Sequence, residues 1–106
     1  MELGILERAV ILQALPKNPE DDYLTYKIIT DLKKELSFSE EEIKKFKIEI
    51  TGDKLTWDES KSKKKEIEIG DKGKEIIAEG FKSLNENKKI NRFNVPLYEE
   101  FVLNKK

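Results

Sequence analysis

The chain has 106 residues, enough for one domain around one modest core and too few for two. Charged residues make up 41% of it and hydrophobic ones 37%. The net charge is only −1 and the apolar residues are grouped, so they can offset chain entropy and the chain is expected to fold. It has no cysteine and no histidine, which excludes disulfides and thiol chemistry and removes the commonest general base and the commonest transition-metal ligand.

Residues 3–15 read as a helix, with Leu3, Leu6, Val10, Ile11, Ala14 and Leu15 at helical spacing. The run Ala9 to Leu12 is the longest apolar stretch, far short of the roughly 20 residues of a membrane span. No apolar segment follows a basic one as in a secretory leader, so the expected setting is the cytoplasm, with no membrane partner. Pro16 ends the helix, and Lys17-Asn18-Pro19 reads as a loop.

Residues 22–36 read as a second helix, capped by Asp21 and Asp22, with Leu24, Ile28, Leu32 and Leu36 on one stripe and Ile29 beside it. Tyr23 and Tyr26 flank that stripe. Ser39-Glu40-Glu41-Glu42 is a capping box and opens a short third helix to about Lys45, burying Ile43, with Phe46 as a further candidate. The period then changes to two. Phe46, Ile48 and Ile50, then Leu55 and Trp57 after the turn 51–54, predict a β-hairpin. A polar loop over 58–65 leads to a third strand at 66–69, with Ile67 and Ile69 on its apolar side. Residues 71–87 predict a fourth helix, burying Ile76, Ile77, Phe81 and Leu84, and Pro96 opens a last short one with Leu97, Phe101 and Val102 on one face.

The expected fold is α+β, one domain over residues 1–106. It has a helical N-terminal half, a small antiparallel β-hairpin or three-stranded sheet, and C-terminal helices. The expected core is Leu6, Val10, Leu15, Ile28, Leu32, Ile43, Phe46, Ile48, Leu55, Ile67, Ile77, Phe81 and Leu84.

Charge is uneven along the chain: −2 over residues 1–36, −3 over 37–60 and +4 over 61–106. Lys61, Lys63, Lys64 and Lys65 form a basic run in the loop before the third strand. Such a loop can lie against nucleic-acid phosphates, or it can simply be a solvated loop whose potential Asp58, Glu59, Glu66 and Glu68 dilute. Trp57 reads as core packing rather than a ligand platform, since it shares a face with Leu55. Tyr23, Tyr26 and Tyr98 suit either surface anchors or amphipathic packing. The paired acids Asp21-Asp22, Glu40 to Glu42, Asp58-Glu59 and Glu99-Glu100 lack the spacing of a calcium loop and read as caps and solvated faces. No phosphate-cradling loop is present, since Gly70-x-x-Gly73 lacks the Lys-Ser/Thr that would follow. The sequence therefore predicts no catalytic, metal or cofactor site.

Three helices, a hairpin with a polar loop and a long helix make an order compatible with a winged-helix-like arrangement. The stretch from Glu66 to Ile77 resembles the passage from wing to helix in MarR-type regulators. That resemblance implies DNA binding, with the basic loop as the wing. The third helix, however, begins with three carboxylates where a DNA reader usually carries Arg, Asn or Gln. The whole chain also resembles short uncharacterised phage and prophage proteins. The segments concerned are Glu7-Arg8-Ala9-Val10-Ile11-Leu12 running into Leu15-Pro16, Thr25-x-Lys27-Ile28-Ile29, Leu36 to Glu42, Lys65 to Gly70, and Leu97-Tyr98-Glu99-Glu100-Phe101. The resemblance implies a small accessory protein and carries no assigned residue role. The leading expectation is a non-catalytic protein-interaction protein with a protein partner or self-association as a homodimer. A nucleic-acid binder using Lys61, Lys63, Lys64 and Lys65 is the alternative, and an enzyme the third.

Overall fold

The computed structural model describes residues 1–17, 19–51, 54–61 and 63–103. The order is β1 (Glu2–Leu3), α1 (Ile5–Ala14), α2 (Tyr23–Leu36), α3 (Glu40–Phe46), β2 (Glu49–Thr51), β3 (Lys54–Thr56), β4 (Lys65–Glu66), α4 (Asp71–Glu86) and α5 (Val95–Tyr98), which runs into a π-helical turn over Glu99–Leu103. This is the expected α+β class. No helix among the described residues is long and apolar enough to cross a membrane.

The helices start and stop where local chemistry requires. The Asp22 carboxylate accepts from the Thr25 amide at 2.8 Å and caps α2. At α3 the predicted box is complete. Ser39 Oγ accepts from the Glu42 amide, Glu42 Oε1 accepts from the Ser39 amide, and both distances are 3.1 Å. Helix α3 ends at Lys47, whose φ of 52° is left-handed and lets the Ile48 amide donate back to the Ile43 carbonyl.

The expected antiparallel hairpin is present, but the third strand is not part of it: the described strands form two separate two-stranded antiparallel sheets. In the hairpin, β2 pairs with β3 and Ile50 lies opposite Leu55. The turn residues Gly52 and Asp53 lie outside the described residues. The third strand does not extend the hairpin. It is β4, and it pairs with β1, placing Leu3 opposite Lys65. Strand β1 lies where the sequence predicted the start of a helix. A two-residue strand has no period to read, and its partner is more than sixty residues away. Phe46 belongs to the end of α3 rather than to a strand, and it is buried there.

The core has two parts. The larger gathers Ile11, Leu36, Ile67, Ile77 and Phe81 between α1, α2 and α4, with Leu97 and Phe101 closing one side; the Phe81 and Phe101 rings lie 6.1 Å apart. Helix α4 approaches α1 closely because position 80 is glycine. A Cβ there would stand 2.2 Å from the Ala14 carbonyl oxygen. The smaller cluster joins Ile5, Phe46 and Ile48, with Phe38, Leu55 and Trp57 packed against it. Of the expected core, Ile43 is not buried. Leu6, Ile28, Leu55 and Leu84 are half-buried. Leu24 is also exposed, although it lies on the predicted stripe of α2. Burial on that helix begins only at Ile29, the turn that meets its neighbours.

Candidate functional site

One buried cation sets the geometry of the exposed surface above the smaller cluster. Arg8 sits on the apolar face of α1 and is only 1% exposed. Its Nε donates to the Leu36 carbonyl at 3.2 Å, and Nη2 donates to the Ser37 carbonyl at 2.7 Å. Nη1 and Nη2 donate to the two carboxylate oxygens of Glu42, at 2.6 and 3.1 Å. Its guanidinium carbon lies 4.6 Å from the centre of the Phe38 ring. A bidentate, stacked guanidinium of this kind fixes its partners in orientation. It locks the end of α2, the three-residue turn 37–39 and the start of α3 onto α1. The hydrogen bonds from Arg8, with one from the Ser39 amide, hold the Glu42 carboxyl down at about 2.

Beside this clamp, a groove of about 450 Å³ runs between α1, α3 and the hairpin. Leu12, Phe38 and Leu55 form its half-buried floor. Ile43 of α3 and Ile50 of β2 stand on its walls, 41% and 66% exposed. Lys17 and Lys54 edge it, and no carboxylate lines it among the described residues. The hairpin is held at its base, where Ile48 and Trp57 meet the smaller cluster and the Asp58 amide donates to the Phe46 carbonyl at 2.7 Å. Its far half leaves Ile50 open to solvent.

A second apolar patch lies on the first turn of α2. Tyr23, Leu24 and Tyr26 are 76%, 67% and 45% exposed, directly after the acidic run Glu20-Asp21-Asp22. The two tyrosines are thus surface residues, while Tyr98 is half-buried.

The sequence singled out the lysine run. Lys61, Lys63, Lys64 and Lys65 are all exposed. They do not form one isolated basic face. Lys65 lies in β4, close enough to Glu42 to help lower its carboxyl, and Lys61 does the same for Asp58, whose carboxyl is lowered mainly by the Ser60 hydroxyl. Lys64 borders a cleft with Trp57 and Arg92, which Glu2, Glu7 and Glu100 also line. Trp57 is half-buried between that cleft and the smaller cluster. Among the described residues, no three acids converge on a space fit for a metal ion.

Sequence reasoning missed the groove. It placed Ile43 in the core and paired Ile50 with the other inward residues of the hairpin. Arg8 was the available signal. A charged residue three positions from both Ile5 and Ile11 on an apolar helix face needs a buried partner, and Glu42 is the carboxylate that answers it.

Compared with family models, curated proteins and solved structures, this chain matches none.

Proposed function

We propose that this protein is a non-catalytic interaction protein, acting in the cytoplasm as an accessory factor of the kind its phage-like sequence suggests. The observation that supports this most directly is the groove between α1, α3 and the hairpin, where two isoleucines stand exposed beside the Arg8–Glu42 clamp. Burying a side chain such as Ile50 on a partner is worth about 1–2 kcal/mol, and contiguous apolar surface of this sort marks contact sites. The lysines at both edges favour an apolar segment flanked by acids. The test replaces Ile43 and Ile50 with Asp in a protein that keeps its helical circular dichroism. Wild type should self-associate or retain a partner from lysate, and the variant should do neither. A wild type that is strictly monomeric and retains nothing ends this reading.

The second reading is a winged-helix-like nucleic-acid binder that uses Lys61, Lys63, Lys64 and Lys65. It draws support from the exposure of these four lysines and from the short turn between α2 and α3. Replacing Lys63, Lys64 and Lys65 with Ala should weaken DNA or RNA binding and lower its salt slope by about one unit for each phosphate no longer neutralised. An affinity unchanged by those substitutions would remove this reading.

A further inference from the structure

We infer that the occupant of the groove is a second copy of this chain, which inserts the acidic, aromatic first turn of its α2. The inference rests on the interaction reading above and names its partner. The chain carries both halves of the contact. One half is an apolar groove whose lining includes Lys17 and Lys54, with no carboxylate among its described lining residues. The other is an exposed ridge of Tyr23, Leu24 and Tyr26, preceded by three acids. Asp22 accepts from the Thr25 amide as the cap of α2 and Asp21 from the Asp22 amide, and Glu20 and Asp21, exposed ahead of the helix, are the acids offered to the lysines.

The exposed side chains are distributed accordingly. Seven large hydrophobic residues stand exposed among those described, and five of them, Tyr23, Leu24, Tyr26, Ile43 and Ile50, belong to these two patches. A single copy leaves both open to water, and a pair covers both. The patches lie at the two ends of α2, the ridge on its first turn and the groove just past its last, where Ser37 and Phe38 line it. Lys17 edges the groove from the loop that leads into α2, and the Lys33 ammonium donates to its carbonyl at 3.1 Å, tying that loop to the helix. A two-fold axis between copies then seats each turn in the other's groove, so one set of contacts is made twice and the assembly closes as a dimer.

Light scattering and sedimentation from micromolar to near-millimolar protein read the mass. It should rise from 12.4 kDa toward twice that value as concentration increases. Leu24→Asp and Ile50→Asp should each weaken dimerisation by roughly tenfold or more while helical circular dichroism is kept. The pair Lys17→Glu and Lys54→Glu should weaken it, and so should the pair Glu20→Lys and Asp21→Lys. All four together should restore it, because the charges still match. A wild type that is monomeric throughout overturns the inference. So does a dimer that Leu24→Asp leaves intact, or a pair of charge reversals that stay additive instead of cancelling. A monomer that captures a different protein, and loses it on Ile50→Asp, overturns the second copy as occupant and leaves the interaction reading standing. A monomer that captures nothing ends both.

Discussion

Replacing Glu42 with Gln keeps the size of the side chain and removes its charge. Glu42 accepts twice from Arg8, and Arg8 is almost wholly buried. Those hydrogen bonds bring the Glu42 carboxyl from its ordinary value of 4.5 to about 2. A shift of that size is worth about 3 kcal/mol at full strength, and solvent over its 21% exposed side chain screens this to about 2 kcal/mol. The folded value lies below the unfolded one, so the ionised carboxylate stabilises the fold above about pH 4.5. That contribution is lost as pH falls toward 2. In Glu42→Gln the guanidinium stays buried with no counter-charge, which costs about 3 kcal/mol near neutrality. Urea unfolding, followed by Trp57 fluorescence and helical circular dichroism from about pH 7 down to about pH 3, measures both proteins. Wild type should be the more stable at pH 7, and the gap should narrow steadily below about pH 4.5 as Glu42 of the unfolded chain takes up a proton that the folded protein does not. Two stability curves that run parallel across that range would refute the reasoning.

Two further substitutions test the backbone. Gly80→Ala puts a methyl group 2.2 Å from the Ala14 carbonyl and should destabilise by about 1–3 kcal/mol in thermal unfolding, despite the better helix propensity of alanine; an unchanged melting temperature would mean that α1 and α4 can move apart freely. Lys47→Gly relieves a left-handed backbone at the end of α3 and should stabilise by about 1 kcal/mol, with a loss of stability as the contrary result.

The helices were legible in the sequence because their signals are local. Ser39 and Glu42 stand at the spacing of a capping box, Asp22 precedes an apolar stripe, and Gly70 opens α4. The pairing of β4 with β1 was not legible. It depends on Leu3 and Ile67 reaching the same core from opposite ends of the chain, and two-residue strands carry no periodicity of their own. The groove escaped for a similar reason. Ile43 and Ile50 look like core residues because helix and strand spacing count apolar positions without saying whether anything covers them. Leu24 shows the same limit on α2, where the stripe extends one turn beyond the neighbours that bury it.

The carboxylate of Glu42 serves two masters at once: it closes the capping box that starts α3, and it receives the guanidinium that docks α1. A seven-residue helix has no independent stability in water, so its formation cannot be separated from that docking. Helix α3 and the hairpin that follows share the smaller cluster, whose one contribution from α1 is Ile5. Loss of that ion pair is therefore expected to open α3, β2 and β3 together, while the three long helices stay assembled. Amide protons across those three elements would exchange with solvent through one shared event, and any partner seated in the groove would slow them all together.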